Sequence, residues 1–311
     1  MKRLVTRSDF DGLVCAMILK FLKMADEIKF VHPKDVQDGK IELSENDITT
    51  NLPYDPRVGL AFDHHESEIV RLKKLGMDTD HLKNLVNDPN ARSAARVVYD
   101  YYGGKKVFPR VWDDVMEAVD KGDSADFSVD EILNPKGWVL MNFIMDARTG
   151  LGRFHDFRIS NYDLMMKLID YCLEHSVDEI LELPDVKERT DFYFKETDLF
   201  KEQLKRLARV EGKVVIIDLR NEEVIHPGNR FMIYALYPET EISVHVAWGF
   251  KKQNTAVMIG KSIVNRASNV DIGALCLQYG GGGHRNAGTC QLDNDTVDAQ
   301  LPDIIKALNN G

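Results

Sequence analysis

The chain has 311 residues, 44% of them hydrophobic and 29% charged, and a formal net charge of −10 at pH 7. That length suits one large domain or two ordinary ones, with a sizeable core and no compositional sign of disorder. The acidic balance argues against a long nucleic acid as partner, because such a grip needs many lysine and arginine contacts to phosphate. A small phosphate-bearing ligand, or a very short oligonucleotide, needs only a few local cations and stays open.

The four cysteines, Cys15, Cys172, Cys276 and Cys290, form no CxxC pair. Neither zinc-ribbon spacing nor a disulfide framework is present, so reduced thiols in a cytoplasm are the expectation. The N-terminal stretch reaches acidic residues by Asp9, too soon for a signal peptide. No segment approaches the roughly 20 apolar residues of a membrane helix, so no membrane partner is expected.

In chain order, Leu4 to Thr6 reads as a strand and Leu13 to Met24 as an amphipathic helix. Ile28 to Val31, Ile48 to Thr50 and Val58 to Phe62 read as further strands. Strands alternating with helices predict a parallel α/β sheet, whose ligands sit beyond the carboxyl ends of the strands. Helical spacing follows over Ser93 to Tyr102, Val111 to Asp120 and Tyr162 to Glu174. Val186 to Val210 reads as a long charged helix joining two domains. Beyond Gly212 the period becomes that of strands, over Val214 to Leu219, Phe231 to Tyr237, Ile242 to Trp248 and Ala256 to Ile259. A helix from Asp271 to Tyr279, a glycine run, a strand from near Thr289 and a terminal helix complete the chain. The expected organisation is therefore an α/β domain over 1–185, a linker helix over 186–212 and a smaller α+β domain over 213–311.

Three constellations carry chemistry. Ser8-Asp9-Phe10-Asp11-Gly12 follows the first strand directly. Its two carboxylates can point to neighbouring positions, and Gly12 permits a tight turn into the helix; an acidic helix start, favoured by the dipole, is the plainer reading. Asp63-His64-His65 leaves the strand ending at Phe62. Its adjacent side chains diverge, so one histidine can ligate a metal while the other meets a phosphate oxygen. In Gly280-Gly281-Gly282-Gly283-His284-Arg285-Asn286 the glycines expose backbone N–H groups suited to an anion.

Together, and in this order, DxDG, DHH and a distant GGGGH resemble the DHH/DHHA1 phosphoesterases, in particular their oligoribonuclease-like and exopolyphosphatase-related branch. The resemblance spans nearly the whole chain. It implies an α/β/α domain that usually holds two Mn²⁺ ions, followed by a domain that grips substrate across a cleft. It further implies Asp9 as ligand of the first metal, and Asp11, His64 and Asp120 as ligands of the second. Asp63 and His65 would serve the attacked phosphate. Gly281, Gly282, Gly283, His284, Arg285 and Arg266 would bind the rest of the substrate.

The pattern is broken twice. Arg7 stands where the family places a metal-binding histidine, and Asn51 where it places an aspartate that bridges both metals. Arginine stays protonated and offers no acceptor, and an amide offers one neutral oxygen. The expectation is one divalent ion, Mn²⁺ by its mixed carboxylate and imidazole ligands, with the Arg7 guanidinium in place of the other and Asn51 facing substrate. The reading is metal-assisted hydrolysis of a short ligand at the cleft between the domains: a dinucleotide such as pGpG or pApA, or a nucleoside bisphosphate. Two alternatives stay open, an exopolyphosphatase acting on short polyphosphate and a nucleotide-binding sensor that has lost catalysis. A homodimer is compatible with all three.

Overall fold

The computed structural model describes residues 2–153 and 156–311. The chain divides into two compact units. The first comprises residues up to Asp126 with Lys136–Ala147 and Gly152–Thr190; the second comprises Phe127–Pro135, Arg148–Leu151 and Asp191–Gly311.

The first unit is built on a five-stranded sheet of β1 (Arg3–Arg7), β2 (Glu27–Val31), β3 (Asp47–Thr50), β4 (Leu60–Asp63) and β5 (Leu85–Asn87). Its order is β2-β1-β3-β4-β5 and every pairing is parallel. β1, β3 and β4 are thus adjacent, and the turns that leave their carboxyl ends carry Asp9, Asn51 and His64. The helix Phe10–Phe21 is buried at every position from Phe10 to Leu19, as its apolar run requires of a helix enclosed on all sides. Beneath the other part of the sheet, Val5, Val31, Leu52, Tyr54, Ala61 and Leu72 form a shared core.

The second unit is a mixed sheet in the order β10-β11-β9-β8-β7-β6. Its strands are β6 (Ala208–Glu211), β7 (Val214–Asp218), β8 (Ile242–Trp248), β9 (Thr255–Lys261), β10 (Gly282–His284) and β11 (Ala287–Leu292). Only β7 and β8 pair in parallel. Alternate residues of its strands, among them Val214, Ile216, Val244, Val246, Val257 and Ile259, pack against the helices Ile272–Gln278 and Val297–Asn310.

Three local expectations are corrected. Phe231–Tyr237 is not a strand: Met232–Leu236 is one short helix, with Met232 to Ala235 all buried. A fully apolar run has no period that separates the two states, and Asn229 Oδ1 accepting from the Phe231 N–H at 2.9 Å starts the turn. The long charged helix runs Pro184–Leu207 and stops short of Val210, because Ala208–Glu211 pairs with β7. The end of the glycine run is the edge strand β10, paired with β11 in the register Gly282↔Thr289, Gly283↔Gly288 and His284↔Ala287.

Candidate metal centre

β1 ends at Arg7, and the chain turns so tightly there that a Cβ on Gly12 would lie 1.9 Å from the Arg7 carbonyl oxygen. Only glycine fits. The turn makes Asp9 the N-cap of the Phe10–Phe21 helix, its Oδ1 accepting from the Gly12 N–H at 3.0 Å. Its Oδ2 meets Arg7 Nε at 2.7 Å. Asp9 is thus held by a helix start and a guanidinium, and it lies outside the metal-competent group formed by Asp11, His64 and Asp123.

Asp11, on the first turn of that helix, is buried. It accepts from the N–H groups of Ala94 (3.0 Å) and Ala95 (2.8 Å) at the start of the helix Ala94–Tyr101, and from Asn51 Nδ2 (2.8 Å). A helix N-terminus is a favourable place for a carboxylate. All three donors are neutral, and a carboxylate has about four acceptor sites, so capacity for a cation remains. Asn51 follows β3 in a left-handed conformation, φ +55°, which aims its amide at Asp11. It therefore serves the metal-side carboxylate, and its Oδ1 is buried with no hydrogen-bond partner.

Asp63 is the last residue of β4, and the corner after it places the two histidine rings 4.4 Å apart at 61°. His64 Nδ1 lies 3.2 Å from the Ala91 carbonyl. Donation there fixes the tautomer that leaves the Nε2 lone pair for a ligand. That Nε2 is buried and has no aligned hydrogen-bond partner, although Asp123 Oδ2 lies only 3.0 Å away. His65 Nδ1 meets Asp63 Oδ1 at 2.8 Å, which orients a ring that is 41% exposed.

One ligand atom each from Asp11, His64 and Asp123 lies within 4.8 Å of the others, and these residues form the one group among the described residues able to hold a metal. The electrostatics agree. Burial, reinforced by Asp123 and Asp9, pushes the Asp11 carboxyl well above its ordinary range. Burial works against a charged His64, but Asp123, Asp11 and Asp63 outweigh it and push the imidazole up to about 9. Two carboxylates and an imidazole thus crowd one buried place, and a buried imidazole nitrogen 3.0 Å from one carboxylate and grouped with a second fits a divalent cation.

Asp120 is not in that group. Its Oδ1 accepts from Ser93 Oγ at 2.7 Å and its Oδ2 from Arg96 Nε and a terminal guanidinium nitrogen at 2.9 and 2.7 Å. Arg96 already pairs with it, whereas the acid grouped with Asp11 and His64 is Asp123, the last residue of the helix Asp113–Asp123.

In the second unit, the Gly280 and Gly281 N–H groups donate to the Leu277 and Cys276 carbonyls. The Gly281 N–H is therefore not offered to an anion, and a Cβ there would come within 2.2 Å of the Thr289 carbonyl oxygen. Close packing is the reason for that glycine. Gly282, Gly283, His284 and Arg285 are exposed on the β10–β11 hairpin. Arg266 lies in the segment after β9, its Nε donating to the Ile263 carbonyl. Lys261, which no motif marks, has its pKa lowered by burial and by the nearby Arg285, against Asp271. Two cations that repel one another so are suited to an anion.

Asp11 after β1, His64 after β4 and Asp123 at the end of a helix form a group able to hold a divalent ion at the carboxyl ends of a parallel sheet, as a metal-dependent phosphoesterase requires. No family model matches the chain, and no curated protein sequence matches it. Among solved structures it is similar to the pGpG-specific phosphodiesterase PggH from Vibrio cholerae, with 54% identity over 100% of both chains and a TM-score of 0.88. The DHH domain of a member of the s1p family of ribosomal proteins shares the fold, at 14% identity over 99% of this chain and 86% of that one, TM-score 0.53. The chain belongs to the DHH/DHHA1 phosphoesterases and is a phosphoester hydrolase that uses a divalent metal.

Proposed function

We propose that the substrate is a linear guanine dinucleotide, pGpG, and that one ion, Mn²⁺, is held by Asp11, His64 and Asp123. The full-length 54% identity to a pGpG-specific phosphodiesterase carries the substrate assignment. A divalent ion at this site, when bound, polarises the phosphoryl group and makes water acidic enough to attack near neutral pH. The chain's own residues supply the rest. Arg7, paired with Asp9, offers charge-assisted hydrogen bonds to a phosphate oxygen where the family's other ion sits. His65, oriented by Asp63, presents Nε2 to protonate the leaving O3′. Water forms the new P–O bond, the P–O3′ bond breaks, and two guanosine 5′-monophosphates leave. Lys261, His284 and Arg285 are assigned to the non-scissile phosphate. The four cysteines are free and buried, which suits a reducing compartment, and we place the reaction in the cytoplasm.

The test is a substrate panel run with metal content measured on the same samples: pGpG, pApA, a nucleoside 3′,5′-bisphosphate and short polyphosphate. The expected result is a kcat/KM for pGpG at least tenfold above the others, lost on chelation and restored by Mn²⁺, with one ion per chain. Faster release of phosphate from polyphosphate would overturn the substrate assignment in favour of an exopolyphosphatase.

A further inference from the structure

Asp11 and Asp123 stand on different helices, and Asp11 is held by N–H groups of a third. Something must set their separation. The helix Ala94–Tyr101 begins at Ser93, whose Oγ accepts from the Arg96 N–H at 3.0 Å. The same hydroxyl donates to Asp120 Oδ1 at 2.7 Å. Arg96, one turn into that helix, donates twice to Asp120 Oδ2 and packs over the Tyr99 ring. Asp120 and Ser93 are 7% and 0% exposed. Asp120 lies three residues before Asp123 on one helix, so both project from one side of it. The Ser124 hydroxyl donates to the Asp120 carbonyl at 2.6 Å, closing the turn on which Asp123 sits.

We infer that Asp120, Arg96 and Ser93 form a clamp that joins the two helices and fixes the distance between the Asp11 and Asp123 carboxylates. Asp120 is a positioning residue, and it acts on the metal through Arg96 and Ser93. One end of the clamp is the helix start whose Ala94 and Ala95 N–H groups grip Asp11. The other is the helix turn that ends in Asp123. A buried carboxylate bound to a guanidinium is costly to break on one side only, so the two helices move together or not at all. The inference rests on the reading of Asp11, His64 and Asp123 as the metal ligands. It adds that affinity for the ion is set by residues that never touch it.

Mn²⁺ titration calorimetry on the full chain, with unfolding followed by circular dichroism, separates the possibilities. Asp123→Asn and Asp11→Asn remove ligands and are expected to abolish Mn²⁺ binding. Asp120→Asn, Arg96→Met and Ser93→Ala each disturb the clamp alone. They are expected to weaken Mn²⁺ binding about 10- to 100-fold, the usual effect of losing an outer partner of a metal ligand. The double variant Asp120→Asn with Arg96→Met should be no weaker than the worse single one, because the two act as a unit. Arg96→Lys, which keeps charge and fold, should fall between wild type and Arg96→Met.

Two results would overturn the clamp. One is wild-type Mn²⁺ affinity in folded Arg96→Lys and Ser93→Ala. The other is complete loss of binding in Asp120→Asn with none in Arg96→Met, which would make Asp120 itself a ligand. Failure of the ligand assignment shows separately, as undiminished Mn²⁺ binding in Asp123→Asn.

Discussion

Arg7 holds its guanidinium 2.7 Å from an Asp9 carboxylate that also caps a helix. On the proposed reading this fixed cation stands in for an ion. The consequence is testable at that residue. Arg7→Ala removes the guanidinium that Asp9 pairs with and, on the proposed reading, one of the cations that face the scissile phosphate. Turnover is expected to fall at least tenfold, about 1.4 kcal/mol of transition-state stabilisation, with Mn²⁺ affinity at the Asp11 site retained. Arg7→His combined with Asn51→Asp restores both missing ligand types and should raise bound metal toward two ions per chain. Metal counting and pGpG hydrolysis check both; a wild type already carrying two ions would show that other side chains complete a first site.

The members of the metal-competent group differ in how readily the sequence marks them: Asp11 opens the helix after β1 and His64 follows the end of β4, whereas Asp123 closes a helix that none of the three constellations marks. Asp120 and Asp123 are both acids on one side of one helix, and only the placement of Arg96, a residue 24 positions away in sequence from Asp120, shows which of them is already paired.

The elements show a different limit on legibility. Strands β7, β8 and β9 alternate or run apolar and can be read from the sequence, whereas Met232–Leu236 is apolar throughout and its helical state is decided by packing. The glycine run was read as an anion cradle, yet part of it caps a helix and part is an edge strand. A backbone N–H looks available in sequence until the carbonyl that takes it is known.

β8 also carries a pH-sensitive residue. Val244 and Val246 face the core, so His245 faces the opposite side, in register with Ile217 and Met258. Burial pulls its imidazole down to about 4. The folded chain therefore keeps His245 neutral while the unfolded chain, with an ordinary histidine, binds a proton below about 6.5. More protons are bound by the unfolded state between about pH 4 and 6.5, so stability is full above that window and is lost as pH falls through it. The loss is up to about 3 kcal/mol if the whole shift is expressed. Tm measured from pH 7 to pH 4 should fall less steeply in His245→Gln than in wild type. Parallel slopes in the two would show that other groups govern acid unfolding.

Over the whole molecule, a net charge of −10 is compatible with a phosphate-bearing substrate only if cations are concentrated locally. The structure separates the chemistry accordingly. The metal-competent group belongs wholly to the first unit, whereas Lys261, Arg266, His284 and Arg285 belong to the second. If the second unit contributes only substrate affinity, a change there should leave the ion untouched. His284→Ala is therefore expected to raise KM for pGpG about tenfold, roughly 1.4 kcal/mol of binding, with Mn²⁺ affinity at the wild-type value. Such a change in KM with kcat preserved marks lost uniform binding, not lost transition-state stabilisation. Arg285→Ala should act in the same direction and more strongly at low ionic strength, since a phosphate contact by an exposed cation is screened by salt. The measurement is steady-state kinetics at two salt concentrations alongside Mn²⁺ calorimetry. A loss of Mn²⁺ affinity in His284→Ala at unchanged KM would reverse the division of labour and make the second unit part of the metal centre.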